Sequence, residues 1–290
     1  KDENHISKVK EKLDKNIDIY FNKLIYDELD NGFEKLANLG RVNARKNKNY
    51  SKEIKDFFAI GYEKNYNYEK EKYNNLFNSE AMDEFRDLNP KDFKTKLKTS
   101  CPIIHRCYQS RSELLQEWKE KFIESKPEEL LDTIDNILYM AEDFVKNNPE
   151  NKYSNLSTLN SFSELDKLNS EDYGVKSVIG SGIKSIIIYF LYPSYFSLQV
   201  RRSLYALYFL SSKEYFNLPS RSSEFLMIDD RDKNKQLKNS DKNYIMDHNY
   251  WYPYDLFLFY SKYTYDKLNK LCSDFSCSLE VKNRYIDLFT

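Results

Sequence analysis

The chain has 290 residues, which is enough for one large or two small domains with a hydrophobic core. Charged residues make up 31% and aromatic residues 16% of it, so it contains the apolar material that disordered chains lack. The formal net charge of −1 excludes a protein that attracts polyanions through its overall charge. Few Gly and Pro residues, beside many Lys, Glu, Leu and Ile, predict helices rather than a β-sandwich or barrel.

The first segment of the chain has apolar residues at three- and four-residue steps, which predicts an amphipathic helix. Those residues are Ile6, Val9, Leu13, Ile17, Tyr20, Phe21, Leu24 and Ile25. No proline precedes Pro90, so the residues before it are predicted to form long helices joined by polar loops. The N-terminal helical region is predicted to cover residues 1–110. Two groups of basic residues, within 35–48 and 91–98, are either phosphate-binding patches or solvated helix faces.

Two helices are predicted in the middle of the chain. Residues 112–123 place four apolar side chains on one face, namely Leu114, Leu115, Trp118 and Phe122. The next helix is predicted to begin with Ser125 as its cap and Pro127 in its first turn. Its predicted buried face consists of Leu131, Ile134, Leu138, Ala141 and Val145. Residues 147–172 are rich in Asn, Ser and Asp and are predicted to form a long loop with one helical turn.

Three of the six glycines, Gly174, Gly180 and Gly182, lie within nine residues. The sequence Gly180-Ser181-Gly182 leads into an apolar run that contains Lys184 and is typical of a helix. Glycines suit a backbone that needs a positive φ or a close approach, and a helix N-terminus offers free N–H groups to an anion. This element is therefore either a turn that holds a phosphate or a tight connection between helices.

The last third of the chain predicts helices over residues 200–210 and 254–271. Between them, residues 225–228 fit a short strand or a buried turn, and residues 229–249 fit a charged loop. Trp251 and its tyrosine neighbours follow this loop. They either stack on an extruded base or pack the final helix against the core.

Residues 178–204 resemble the helix-hairpin-helix element of the DNA glycosylase superfamily. In this comparison the hairpin is Gly180-Ser181-Gly182 with Lys184, the turn is 192–196, and the next helix opens with Leu198-Gln199-Val200-Arg201. Residues 250–287 are similar to the closing helices of the OGG-like, mostly uncharacterised branch. The resemblance implies an all-α protein in which residues 111–290 form a glycosylase-like domain beside the helical region 1–110.

Gln199 stands where the family has its catalytic Asp, and a neutral amide cannot stabilise an oxocarbenium-like sugar. The resemblance therefore implies a DNA-binding module that reads an extruded or modified base without excising it. The residues that it implies in DNA binding are Gly180, Ser181, Gly182, Lys184, Gln199, Arg201, Arg202 and Trp251.

Two other functions stay open. The chain could be a helical scaffold that binds another protein through its aromatic surface, or an active glycosylase that uses a different acid. Because no motor or nuclease motif is present, a DNA reader is expected to need a separate effector protein, or a further part of a longer chain. No cofactor and no membrane segment are expected, and four scattered cysteines favour the cytoplasm.

Two clusters contain possible metal ligands, and each also has a simpler explanation. Cys101, His105 and Cys107, with Cys272 and Cys277, have ligand types that suit zinc, but their spacing is not standard and buried cysteines explain them as well. Acidic residues within 229–248 are either nuclease carboxylates or a solvated loop. The sequence predicts no metal site.

Overall fold

The computed structural model describes residues 3–22, 69–87, 90–211 and 252–271. Over these residues the protein is all-α, as predicted, and contains no β-strand. The helices are α1 (Glu3–Asn22), α2 (described over 69–77), α3 (Ser79–Asp87), α4 (Pro90–Ser100), α5 (Pro102–Gln109), α6 (Gln116–Glu124), α7 (Pro127–Asn147), α8 (Glu150–Tyr153), α9 (Ser181–Leu191), α10 (Arg201–Leu210) and α11 (Tyr254–Leu271). Three 3₁₀ segments cover Glu113–Leu115, Leu159–Asn169 and Glu171–Tyr173 in the described residues. Among the described helices, none combines the length and apolar character that crossing a bilayer requires.

The chain divides into two compact units. The first contains residues 1–60, 201–252 and 260–290, and the second contains residues 61–200 and 253–259. The units do not follow the predicted boundary at residue 110, because α4, which precedes it, packs along α7, which follows it.

In the first unit, the predicted amphipathic helix is confirmed as α1. Its apolar stripe is buried through Val9, Leu13 and Ile17. A polar contact joins α1 to α10, since the Asn16 amide donates to the Leu210 carbonyl at 2.6 Å. The Tyr263 hydroxyl on α11 donates to the Asp14 carboxylate at 2.7 Å. These bonds fix the rotation of α1 about its own axis as its apolar stripe is buried.

In the second unit, α7 supplies much of the core. Its buried residues are Leu130, Leu131, Thr133, Ile134, Ile137, Met140, Ala141 and Phe144. Leu138 and Val145, which were predicted to be buried, are half-buried. The prediction of Ser125 as the cap is wrong, because Lys126 occupies that position without a side-chain cap. The Ser125 hydroxyl instead donates to the Phe122 carbonyl at 2.7 Å, at the end of the preceding helix.

The segment predicted as a long loop is helical over much of its length. The 3₁₀ segment Leu159–Asn169 buries Phe162, Leu165 and Leu168. Their spacing of three residues matches the three residues per turn of a 3₁₀-helix, so one apolar edge faces the core. The loop prediction is wrong here because the intervening Asn, Ser and Asp residues conceal this short apolar repeat.

The predicted last helix is confirmed over Tyr254–Leu271. The part of it that belongs to the second unit is held by polar and aromatic contacts. The Tyr254 hydroxyl donates to the Ser197 carbonyl at 2.9 Å, and the Phe259 and Phe162 ring centroids are 6.2 Å apart. The predictions for residues 225–228 and 229–249 lie outside the described residues.

Candidate nucleic-acid interface

The N-terminal turn of α9 contains the Gly-x-Gly motif. Gly180 is the N-cap, with φ −98° and ψ −178°, and no side chain caps the helix there. The first helical hydrogen bond runs from the Lys184 N–H to the Gly180 carbonyl at 3.1 Å. The N–H groups of Ser181, Gly182 and Ile183 precede that bond and have no acceptor within the helix. This turn therefore carries the positive end of the helix dipole.

The chain enters α9 through a tight turn rather than from a preceding α-helix. Val175 and Ile179 form an isolated antiparallel bridge, and the Ile179 N–H donates to the Val175 carbonyl at 2.8 Å. Ser177, at the tip, adopts the left-handed conformation with φ 61°. A 3₁₀ segment, Glu171–Tyr173, lies before the turn, so the element differs from the helix-hairpin-helix that the resemblance implies.

The glycines of the motif adopt ordinary backbone conformations. Neither Gly180 nor Gly182 has a positive φ. A Cβ on Gly180 would meet nothing within 4 Å, and one on Gly182 would lie 3.8 Å from the Gln199 carbonyl oxygen, which is normal contact. The expected need for positive φ does not explain these glycines. Their lack of side chains instead leaves the helix end open, and Gly180 is exposed.

Lys184 differs most from its expected role. Only 7% of the residue is exposed, and its ammonium donates to the Leu168 carbonyl at 2.6 Å. Burial lowers the pKa of Lys184 to about 8. No carboxylate among the described residues pairs with it. Lys184 is therefore not the solvent-facing phosphate ligand that the resemblance implies, because its side chain turns inward beneath the turn that precedes α9.

Gln199 is also buried, with 3% of the residue exposed. Its N–H donates to the Ser185 hydroxyl at 2.9 Å, and that hydroxyl donates to the Gly182 carbonyl at 2.9 Å. Ser185 therefore ties the chain before α10 to the first turn of α9. Ser185 was not among the predicted residues, although its position three residues after Gly182 is typical of a serine that bonds to its own helix.

The structure leaves three predicted residues without a described side chain. Arg201 and Arg202 begin α10, but their side chains are outside the described part of the chain, and Trp251 lies wholly outside it. The adjacent Tyr252 and Tyr254 are buried. The motif residues that the structure brings together are thus Gly180, Ser181 and Gly182 at the helix end, with Lys184 and Gln199 inside.

A second tryptophan supports the turn before α9. The Trp118 indole N–H donates to the Val178 carbonyl at 2.9 Å. Its ring stacks on Phe122 with centroids 5.3 Å apart and remains half-buried. The sequence assigned Trp118 to a helix face, but a contact with a residue 60 positions away has no local signal.

The possible zinc ligands show no metal-site geometry in the described residues. Cys101 is fully buried, and burial raises its pKa to about 12. His105 Nδ1 lies 3.1 Å from the Lys98 carbonyl oxygen. Over the described residues, no group of three or more potential ligands comes together. Cys272 and Cys277 lie outside these ranges.

Comparison of the chain with protein-family models, curated proteins and solved structures finds no match. The resemblance to DNA glycosylases is a resemblance of short sequence motifs alone.

Proposed function

We propose that this protein binds the phosphate backbone of DNA at the N-terminal turn of α9 and does not excise bases. The observation that carries the proposal is that the first turn of α9 has two sources of positive charge. The open end of α9 presents N–H groups without a side-chain cap, and Lys184 adds a buried charge that has no carboxylate partner among the described residues. Because the Lys184 ammonium bonds to the Leu168 carbonyl, it would act on an anion through its electric field rather than by contact.

A bound anion would offset the positive charge of the helix end and that of Lys184. Buried charges are normally paired, because removing an ion from water costs several kcal/mol. N–H groups at a helix end attract phosphate through hydrogen bonds and the dipole. The exposed Gly180 leaves the approach free of side-chain atoms, and the exposed Lys176 in the preceding turn adds a further positive charge.

The resemblance to glycosylases supports DNA as the source of the phosphate. The family's motif is followed by a turn and a further helix, and in this chain α9 is followed by residues 192–200 and then by α10. The amide of Gln199 cannot supply the negative charge that base excision needs, so the proposal is limited to binding. A separate effector protein would then act on the bound or modified DNA.

The decisive variant is Gly182→Asp. A carboxylate in the first turn interacts favourably with the positive end of the helix dipole, so the variant is expected to be as stable as the wild type. The same carboxylate repels phosphate, so we expect affinity for duplex DNA to fall at least about tenfold. The measurement is a fluorescence-anisotropy titration with duplex, single-stranded and abasic-site DNA at about 50 and 200 mM salt.

Asn160→Asp is the matched control, because it adds the same charge at an exposed position in the 3₁₀ segment Leu159–Asn169. It is expected to change DNA affinity less than about twofold. The proposal fails if the wild-type protein shows no salt-dependent binding. It also fails if Gly182→Asp and Asn160→Asp bind DNA equally well.

A further inference from the structure

A cleft in the second unit lies away from the Gly-x-Gly motif in the sequence. Its volume is about 790 Å³, and its walls come from α2, α3 and α4. Clefts of roughly 300–1,000 Å³ are the size of ordinary ligand sites. None of the residues that line this cleft belongs to the proposed DNA site.

The cleft contains charges of both signs. Lys96 and Asp92 lie on α4, Lys72 lies on α2 and Glu84 lies on α3. Over the described residues, Lys96, Asp92 and Glu84 make no ion pair or side-chain hydrogen bond. The lining thus contains two cations and two carboxylates, and three of these four charges are available to a ligand.

Two other lysines of α4, Lys94 and Lys98, are engaged in packing contacts. The Lys94 ammonium donates to the carbonyls of Ile123 and Ser125, at 2.8 and 2.6 Å, where α6 ends. The Lys98 ammonium lies 4.1 Å from the centre of the Tyr108 ring. Lys94 and Lys98 therefore stabilise the packing around α4, whereas Lys96 faces the cleft.

The floor of the cleft is apolar, and hydrogen-bond acceptors flank it. Leu76, Ala81 and Phe85 contribute the apolar surface. The hydroxyls of Thr95 and Thr99 each donate to a carbonyl of their own helix at 3.0 Å, so their oxygens remain able to accept. Peptide N–H groups are suitable donors for such oxygens.

We propose that this cleft binds a short peptide segment of a partner protein. An apolar side chain of the peptide covers the Leu76, Ala81 and Phe85 floor. An acidic side chain pairs with Lys96, a basic one pairs with Glu84 or Asp92, and peptide N–H groups donate to the threonine hydroxyls. A nucleic acid fits less well, since it would bring only negative charge to walls that carry two carboxylates.

The test begins with a displayed library of short random peptides selected against the full chain. Enriched peptides are then synthesised with both ends capped, and their affinities are measured by fluorescence anisotropy. We expect Ala81→Trp, which fills the floor, and Lys96→Glu, which reverses a wall charge, each to weaken binding at least about tenfold. Lys91→Glu, the same charge reversal on α4 outside the cleft lining, is expected to change affinity less than about twofold.

Circular dichroism establishes that each variant is folded. If Ala81→Trp disturbs packing, the exposed Lys96→Glu alone provides the test. The proposal is overturned if no peptide is enriched, or if enriched peptides bind both cleft variants like the wild type. It is also overturned if an oligothymidylate binds in a manner that Lys96→Glu abolishes. Self-association that Ala81→Trp abolishes would replace the peptide with a second copy of the chain.

Discussion

At the scale of single residues, Lys184 is a buried lysine with a lowered pKa. A lysine on its exposed surface would titrate near its ordinary pKa of about 10.4. Burial lowers this pKa to about 8 in the folded protein, and a single carbonyl of Leu168 accepts from the ammonium. Below pH 8 the protein therefore holds a desolvated charge that the unfolded chain would keep in water.

Lys184→Met is expected to raise the free energy of unfolding at pH 7 by about 1–3 kcal/mol, because it removes this buried charge. The folded-state pKa is the lower one, so the wild type loses the penalty as pH rises from about 8. The advantage of the variant should shrink toward pH 10. Urea unfolding of both proteins at pH 7, 8.5 and 9.5 measures this difference.

Subtracting the two proteins at each pH cancels the titration of all other groups. A constant difference across this pH range would show that the charge of Lys184 does not determine the stability of this site. The same variant also bears on function. If an anion at α9 uses this cation, Lys184→Met should weaken DNA binding as well as stabilise the fold.

At the scale of elements, the turn before α9 depends on a contact from α6. Trp118 is the donor to Val178, and the turn itself contains the left-handed Ser177. The position of the N-terminal end of α9 is therefore determined partly by α6, a helix that lies far away in the sequence. A change at Trp118 tests whether this support is needed.

Trp118→Phe keeps an aromatic ring against Phe122 but removes the indole N–H. We expect a loss of about 1 kcal/mol in the free energy of unfolding, the usual net value of a hydrogen bond. Amide exchange of Val178 and Ile179, whose N–H groups donate within the turn, should become faster. Hydrogen-exchange mass spectrometry over residues 174–180 makes the measurement.

Tyr139→Phe is the comparison variant, because Tyr139 on α7 is 73% exposed. It should leave both stability and exchange in the turn unchanged. Equal exchange in Trp118→Phe and the wild type would mean that the turn is stable without α6.

At the scale of the whole molecule, the binding proposal separates this chain from an active glycosylase. We expect no base excision from duplexes that carry uracil, oxidised guanine or an alkylated base, because Gln199 cannot replace a carboxylate. Alkali treatment followed by gel electrophoresis detects any strand scission. A uracil-excising enzyme on the same duplex serves as the positive control, and multiple turnover by this protein would reveal a different acid.

The sequence predicts helix types and positions well where a local pattern determines them. The start of α11 follows from Pro253, which precedes it, and the aromatic run after Pro253 is typical of a helix. The start of α7 is two residues from its predicted cap, because the Ser125 hydroxyl bonds backward to Phe122 rather than forward. Local composition does not encode which of two neighbouring helices a serine will cap.

The candidate site is less predictable because contacts between residues far apart in sequence determine it. The Gly180 to Gly182 motif is found at a helix end, as the sequence predicts. The direction of the Lys184 side chain, however, goes with its hydrogen bond to the carbonyl of Leu168, which lies in the 3₁₀ segment Leu159–Asn169. Long-range contacts of this kind cannot be inferred from charge alone.

The run of helices from α4 to α7 has a consequence for how the protein is made. Pro90, Pro102 and Pro127 start α4, α5 and α7, so these helix boundaries are encoded locally. Because α4 packs on both α5 and α7, residues 90–147 bury apolar surface among themselves. Contacts that are close in sequence form fast. We therefore expect this stretch to become compact during translation, before the ribosome has released residues 148–200.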